Sequence, residues 1–199
     1  MNEEARTPVK TPALPERAVT VYRKVPIIVE GVDCSGKTTF CKWLVEELID
    51  LGVNVEFSHH GPLRASVMDE YFVPLASTSL YPTVIVADRW HLGEMVYGPL
   101  YRGGSEMNED QLFVIESTIT ELGGKRVLLD PPIDEIASRM EERGEDFLQP
   151  DDLYNACVEY RSLARMYGYD EIRCSTRAKA RKIAKEAADE CARHTLRLG

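Results

Sequence analysis

Cysteine is scarce in this sequence, and no two cysteines stand at the spacing of a metal site. The 199 residues contain five cysteines and no C-x-x-C pair, which excludes a zinc ribbon and a disulfide framework. An odd number of thiols without such a framework is typical of a reducing compartment, so the sequence predicts a cytoplasmic protein.

Long apolar runs and an excess of basic residues are also absent. No stretch approaches the roughly 20 apolar residues of a membrane-spanning helix, so no membrane partner is expected. The net charge of −9 disfavours a nucleic-acid surface, because a phosphate backbone attracts a basic footprint. Residues 1–24 lack the apolar core of a signal peptide and carry prolines among charges. They are predicted to be a mobile arm before a single domain at 25–199.

Strand-like and helix-like segments alternate along that domain, and 44% of all residues are apolar. The predicted strands cover 25–30, 53–58, 83–87, 126–130 and 170–174. The predicted helices cover 37–50, 64–76, 91–97, 108–122, 133–142, 151–167 and 178–196. This alternation predicts an α/β fold with a doubly wound, parallel five-stranded sheet flanked by helices. Ligands of such sheets bind outside the carboxyl ends of the strands.

The segment 31–38 fits the phosphate-binding pattern G-x-x-x-x-G-K-[ST], between a predicted strand and a predicted helix. Its glycines let successive N–H groups point at a polyphosphate. Lys37 is expected to reach the β- and γ-phosphates, and Thr38 to offer its hydroxyl to Mg²⁺. The predicted ATP-binding residues are Gly31, Asp33, Cys34, Ser35, Gly36, Lys37, Thr38 and Thr39. The sequence therefore predicts a nucleoside-triphosphate site that uses ATP and Mg²⁺.

Two charged residues follow the third predicted strand. Asp88 stands at the end of an apolar strand beside the phosphate loop, where a carboxylate can hold Mg²⁺ through water. Arg89 can donate bidentate hydrogen bonds to an acceptor phosphate. The alternative is a structural Asp–Arg pair at the surface.

Three segments together resemble the thymidylate kinases and their nucleoside-monophosphate-kinase relatives. They are the phosphate loop, the Asp88-Arg89-Trp90 segment with Tyr97 at the family's offset, and the LDPP segment at 129–132 with the arginine-bearing stretch after it. The resemblance covers about residues 25 to 175. It implies a P-loop kinase fold with a short lid at about 139–150, and a homodimer as in related kinases.

The resemblance also implies roles for individual residues. Asp33 would lie close to the acceptor sugar and Tyr97 along the deoxyribose. Arg139 and Arg143 would contact the transferring phosphoryl group, where negative charge spreads over the γ-oxygens. The alternative for these two arginines is pairing with Glu142, Glu145 and Asp146 on a solvated helix. The residues implied to be catalytic are Lys37, Asp88, Arg89, Arg139 and Arg143.

The acceptor side departs from the family pattern. The chain has His59-His60-Gly61-Pro62 where the family has Arg-Glu-Pro. Arg64, Tyr71 and Phe72 are candidates for contacts with a base. The predicted acceptor-binding residues are Asp33, His59, His60, Arg64, Phe72, Arg89 and Tyr97.

These features predict an enzyme that transfers phosphate from Mg·ATP to a nucleoside monophosphate, such as the pyrimidine deoxynucleotide dTMP. A deoxynucleoside kinase, or a kinase of another hydroxyl, including one on a modified base in DNA, is the alternative. A GTPase is disfavoured because the sequence has no Asn-Lys-x-Asp segment. A binding module without turnover stays open.

Overall fold

The computed structural model describes residues 19–144, 150–193 and 195–198. The strands are β1 (Val19–Arg23), β2 (Val25–Glu30), β3 (Asn54–His59), β4 (Thr78–Ser79), β5 (Thr83–Asp88), β6 (Lys125–Leu129), β7 (Asp170–Ile172) and β8 (Thr195–Leu198). The α-helices are α1 (Lys37–Asp50), α2 (Val73–Ala76), α3 (Leu92–Arg102), α4 (Glu109–Glu121), α5 (Ile133–Arg143), α6 (Pro150–Tyr167) and α7 (Arg177–Arg193).

The main sheet has five parallel strands in the order β3-β5-β2-β6-β7. The predicted α/β fold with a doubly wound five-stranded sheet is therefore confirmed. In the register, Asp88 of β5 stands opposite both Val29 of β2 and His59 of β3. The carboxyl ends of three neighbouring strands thus meet at one edge of the sheet, where ligands of such folds bind.

Side chains of the central strands alternate between two hydrophobic layers. Ile27 and Val29 pack with residues of α1 and α7 on one face. Ile28 and Ile85 pack on the other face, with residues of α3, α4, α5 and α6. Every residue of β2 and β5 is buried, as expected for parallel strands covered on both sides.

A second, small sheet corrects the prediction for the two ends of the chain. The strand β1 pairs antiparallel with both β4 and β8. Residues 19–23 thus belong to the folded body, and the prediction of an arm extending to residue 24 is wrong for them; residues 1–18 lie outside the described part. The last helix ends at Arg193 rather than at 196. Both errors arise because cross-strand pairing joins segments far apart in sequence.

Two helices also differ from their predicted bounds. The helix predicted at 64–76 is a π-helical turn, Met68–Phe72, that continues into α2. The helix predicted at 91–97 runs through Pro99 and ends at Arg102, because packing of Val96 and Leu100 against the core outweighs the break favoured by Gly98 and Pro99.

Candidate active site

The phosphate-binding loop between β2 and α1 requires two glycines. Gly31 has a φ of +143°, and a Cβ there would lie 2.5 Å from the carbonyl oxygen of Leu129. Gly36 has a φ of +95° and directly precedes α1. The loop therefore ends at the N-terminus of a helix, where free N–H groups and the helix dipole favour a bound phosphate.

A cavity of about 190 Å³ lies at this loop. Six of the predicted ATP-binding residues line it: Asp33, Cys34, Gly36, Lys37, Thr38 and Thr39. The other two, Gly31 and Ser35, are buried. The predicted residues His59, Asp88, Arg89 and Arg143 complete its wall. We call this space the phosphate cavity.

Lys37 is buried at the floor of the phosphate cavity. Its Nζ donates a hydrogen bond of 2.6 Å to the carbonyl oxygen of Val32. Burial lowers the pKa of this amine, whereas the nearby carboxylates of Asp88 and Glu30 oppose that shift. An anionic phosphate in the cavity would supply the charge partner that a buried ammonium needs.

Thr38 and Asp88 form the expected magnesium position. The Thr38 hydroxyl donates to Oδ2 of Asp88 at 2.7 Å, and His59 Nδ1 lies 3.2 Å from the same oxygen. The other oxygen, Oδ1, is buried and has no hydrogen-bond partner in the described part of the protein. Because Mg²⁺ is held by one or two carboxylates together with substrate phosphates, this pair fits the ion. A bound Mg²⁺ would neutralise phosphate charge.

The two predicted lid arginines reach the phosphate loop from α5. Arg139 Nη1 donates to the carbonyl oxygen of Cys34 at 3.2 Å, and Arg143 Nη1 lies 3.8 Å from the Cys34 sulfur. Arg139 also pairs with Glu135, one turn earlier, at 2.9 Å. Helix α5 therefore has one surface ion pair, Arg139 with Glu135, and it also brings the guanidinium groups of Arg139 and Arg143 to the phosphate-binding loop. Residues 145–149 of the predicted lid lie outside the described residues.

Arg89 separates the phosphate cavity from a second, larger one. It forms an ion pair with Asp33, and both residues line both cavities. Its backbone has a φ of +67°, a conformation that costs energy in a residue with a side chain and that recurs at functional sites. Its Nε is buried without a hydrogen-bond partner among the residues described. Arg89 thus has a donor left for a ligand.

Glu30 fixes the loop that carries Arg89. It is fully buried at the end of β2, and its Oε1 accepts hydrogen bonds from the backbone N–H groups of Trp90 (2.8 Å) and Leu92 (3.1 Å). Burial raises the pKa of this carboxyl group, against the opposing effects of His91, the two N–H groups and Lys37. Sequence reasoning missed this positioning residue, since a Glu ending a strand carries no local signal of its partners.

The larger space, of about 470 Å³, is here called the acceptor cavity. Aromatic rings form much of its wall. The ring of His60 lies 4.4 Å from that of Trp90 in an edge-to-face arrangement and 5.7 Å from that of Tyr71. Tyr97 stacks on Tyr101 with ring centroids 6.0 Å apart. Flat rings of this kind suit contact with the ring of a base.

The structure corrects the predicted acceptor set in part. Of the residues predicted to bind the acceptor, Asp33, His60, Arg89 and Tyr97 line the acceptor cavity, whereas His59 lines only the phosphate cavity. Arg64 and Phe72 are not among the described residues that line either cavity. Phe72 packs against the hydrophobic core and Arg64 is exposed. Their neighbour Tyr71 takes the place on the wall, because the π-helical turn sets which side chain faces inward.

Several buried donors around the acceptor cavity lack a partner in the described structure. They are Trp90 Nε1, Tyr97 Oη and Tyr160 Oη. Burial raises the pKa of both tyrosines, so their hydroxyls stay protonated and can donate. Because buried polar groups are rarely left unpaired, this concentration points to a ligand with several hydrogen-bond acceptors.

Comparison with known proteins gives a likeness in structure only. No family model and no curated protein sequence matches the chain. The YorR protein from Bacillus subtilis, solved in complex with phosphorylated GDP, has a TM-score of 0.56 and 22% sequence identity, over 81% of this chain and 92% of that one. At this identity the likeness shows the fold alone.

A second likeness is weaker. Deoxyadenosine kinase from M. mycoides, solved with bound dCTP, gives a TM-score of 0.45 and 11% identity, over 82% of this chain and 98% of that one. At this TM-score the likeness supports no conclusion about the present chain. The sheet order, the phosphate loop and the likeness to YorR together define a P-loop kinase fold.

Proposed function

We propose that this protein is a nucleoside-monophosphate kinase. It transfers the γ-phosphoryl group of Mg·ATP to a pyrimidine deoxynucleotide such as dTMP, giving ADP and the diphosphate. The phosphate cavity holds the donor, and the acceptor cavity holds the monophosphate with its base among the aromatic rings. YorR, which was solved with a phosphorylated nucleotide, gives a precedent for such a ligand on this fold.

The observation that carries this proposal is the wall shared by the two cavities. Asp33 and Arg89 line both spaces, so an acceptor bound in one space meets the terminal phosphate bound in the other. A monophosphate is already an anion, and its transfer needs positioning and charge neutralisation rather than a general base. Lys37, Arg89 and Arg143 supply positive charge at this meeting point.

Replacing Arg89 with alanine tests this arrangement. We expect kcat/KM for the monophosphate to fall about 100-fold, because a charge-assisted donor aimed at the acceptor phosphate is lost. The kcat/KM of Arg89→Lys should lie between those of Arg89→Ala and the unsubstituted protein, since lysine keeps the charge but cannot donate two parallel hydrogen bonds. The assay is ADP release with Mg·ATP and a panel of nucleosides and monophosphates. Arg165→Ala, at an exposed position of α6, is the control and should leave the rate unchanged.

The outcomes of that panel separate the possibilities. Turnover on one monophosphate, lost in Arg89→Ala, supports the proposal and names the base. Turnover that persists undiminished in Arg89→Ala contradicts the role of the shared wall. ATP binding without turnover on any compound would mean a nucleotide-binding module or an acceptor of another class.

Asp88 should set the requirement for magnesium. Replacing it with asparagine is expected to raise the Mg²⁺ concentration for half-maximal activity at least about tenfold, as is usual when a group that holds a metal is weakened. The measurement is a Mg²⁺ titration of ADP release at saturating ATP. Asp110→Asn, at an exposed position of α4, should leave the titration unchanged. An unaltered titration for Asp88→Asn would remove Asp88 from the metal site.

A hydroxyl acceptor is the second candidate, and Asp33 is the observation in its favour. A kinase of hydroxyl groups needs a base near the transferred proton, and the carboxylate of Asp33 faces both cavities. Its ion pair with Arg89 orients it for either acceptor. Turnover on nucleosides alone in the same panel would establish this candidate.

A polymer acceptor, such as a modified base in DNA, finds less support. Two arginines of the basic helix α7, Arg177 and Arg181, are paired with Glu47 at 2.9 and 2.6 Å. No helix in the described part of the chain is long and apolar enough to cross a membrane. We place the reaction in the cytoplasm, which suits an odd number of cysteines without a C-x-x-C pair.

The lid and the dimer expected from the thymidylate-kinase resemblance stay predictions. In α4, Leu112, Ile115 and Ile119 are buried in the core, while Phe113 is 66% exposed. Only Phe113 among these four is therefore free for a homodimer contact. The segment at about 139–150, which carries Arg139 and Arg143, is the proposed lid.

A further inference from the structure

An acidic and a basic side chain form a fixed pair on the wall of the acceptor cavity. Glu94 and Arg102 both line this cavity. The Glu94 side chain is only 3% exposed, and Nη2 of Arg102 donates to both of its oxygens at 2.5 Å. Neither residue was singled out from the sequence, since a Glu and an Arg eight positions apart carry no local signal of contact.

The backbone after α3 locks this pair. The N–H of Glu106 donates to Oε1 of Glu94 at 3.0 Å. A Cβ on Gly98 would lie 2.8 Å from the carbonyl oxygen of Gly104 and 3.1 Å from Oε1 of Glu94. Glycine at 98 therefore lets the chain fold back over the carboxylate, and the carboxylate cannot turn freely.

The remaining hydrogen-bonding capacity of Glu94 is small and specific. Each carboxylate oxygen accepts about two hydrogen bonds. Oε1 accepts from Arg102 and from the N–H of Glu106, so it is filled. Oε2 accepts only from Arg102 within the described structure. One acceptor position is thus left on Oε2, which cannot donate a hydrogen bond while the carboxylate is ionised.

We propose that Glu94 and Arg102 determine which base is accepted. Oε2 of Glu94 accepts the single ring N–H of a uracil- or thymine-type pyrimidine, and the remaining N–H groups of Arg102 donate to a neighbouring carbonyl of that base. A guanine edge offers two donors side by side and suits a carboxylate with both oxygens free, whereas Oε1 is filled. Cytosine has an unprotonated ring nitrogen at the same position and is repelled by the carboxylate. This inference rests on the proposed function.

The isosteric substitution Glu94→Gln inverts this recognition. Its amide oxygen keeps the donors of Arg102 and Glu106, the second bond from Arg102 is lost, and the amide NH₂ stands where Oε2 was. The variant then offers a donor to the ring nitrogen, which suits cytosine and opposes thymine. We expect dTMP affinity to fall, and the ratio of dTMP to dCMP affinity to fall about 100-fold or more, since a mismatched buried hydrogen bond discriminates strongly.

The experiment is isothermal titration of dTMP, dCMP and GMP into the full chain, without turnover. Glu106→Gln is the matched control, because Glu106 contributes only its backbone N–H and its substitution should leave the ratio unchanged. If the role of Glu94 were merely structural, Glu94→Gln would weaken the binding of dTMP and of dCMP equally. An unchanged ratio in Glu94→Gln, or preference of the unsubstituted protein for GMP or dCMP, overturns the inference.

A comparison within the unsubstituted protein covers the case in which Glu94→Gln does not fold. N3-methyl-dTMP lacks the ring N–H, and it should bind about 100-fold more weakly than dTMP. Equal affinity for the two compounds overturns the inference while leaving the proposed kinase intact. Binding of ATP with no binding of any monophosphate or nucleoside would overturn the proposed function, and the inference with it.

Discussion

Replacing Lys37 with alanine is expected to lower the rate of phosphoryl transfer about a thousandfold, the effect of removing a preorganised positive donor from a transferring phosphate. Lys37 is a buried cation at the N-terminus of α1, and its Nζ is held by the carbonyl oxygen of Val32. Negative charge on the γ-oxygens spreads in the transition state, so we expect Lys37 to act where charge develops.

Two measurements check this prediction. Initial rates of ADP release give kcat and KM, and titration with a non-hydrolysable ATP analogue gives the affinity independently of any acceptor. Lys42→Ala is the control, because Lys42 is an exposed lysine on the same helix and its loss should change neither quantity. Retention of more than about a tenth of the rate by Lys37→Ala would contradict an electrostatic role of the size expected for such a donor.

Replacing Glu116 with alanine is expected to lower the free energy of unfolding by about 3–5 kcal/mol, the usual cost of breaking a buried ion pair by removing one partner. Glu116 is 3% exposed. Its Oε1 accepts from His91 Nε2 at 2.8 Å and from the hydroxyl of Tyr169 at 3.1 Å, and its Oε2 accepts from Arg126 Nε at 2.6 Å. The substitution leaves the buried donors of His91 and Tyr169 without this acceptor, and Arg126 keeps only Thr120 Oγ1 and the backbone carbonyl oxygen of residue 116.

The protonation of Glu116 gives this prediction a pH dependence. Burial raises its pKa, but the hydrogen bond from His91 and the charges of His91 and Arg126 outweigh burial, so the pKa of Glu116 lies below its usual range. A depressed pKa in the folded state stabilises the protein above the unfolded-state pKa, and that contribution is lost as the pH falls below about 4.5. Glu116→Gln should therefore weaken the acid dependence of stability.

Urea denaturation followed by circular dichroism measures both effects. Glu121→Ala changes an exposed residue at the end of the same helix and should alter the free energy of unfolding by less than about 0.5 kcal/mol. If Glu116→Ala unfolds at the same urea concentration as the unsubstituted protein, the buried cluster does not stabilise the fold. The cluster also bears on the site, because His91 directly follows Trp90 on the wall of the acceptor cavity.

The parts predicted well from sequence are those whose signals are local. The phosphate loop is contiguous, so its glycines, Lys37 and Thr38 could be placed before any contact was known. The apolar runs of β2 and β5 are buried on both faces and leave little ambiguity between strand and loop. Asp88 and Arg89 followed from the rule that ligands bind at strand ends.

The parts predicted poorly depend on which way a helix turns or on pairing between distant segments. Tyr71 and Phe72 are neighbours of similar character, and only the π-helical turn decides that Tyr71, which is also buried in the core, lines the cavity while Phe72 does not. The strand β1, with the sequence VTVYR, has strand-forming residues, but only its pairing with β4 and β8 makes it part of the folded body. Arg64 was predicted to lie on a helix beginning at residue 64, but the π-helical turn spans Met68–Phe72, so Arg64 lies before it.

The sequence by itself therefore determined the class of fold and located the proposed donor site with its charged residues, because one contiguous loop and the strand ends beside it encode them. The tertiary structure alone decided the composition of the proposed acceptor site. It brought Trp90, Tyr71 and His60 into one wall, and it locked Glu94 against Arg102 through a chain reversal that Gly98 permits. Recognition of a base needs side chains from several elements to meet at fixed distances, and those distances exist only once the chain is packed.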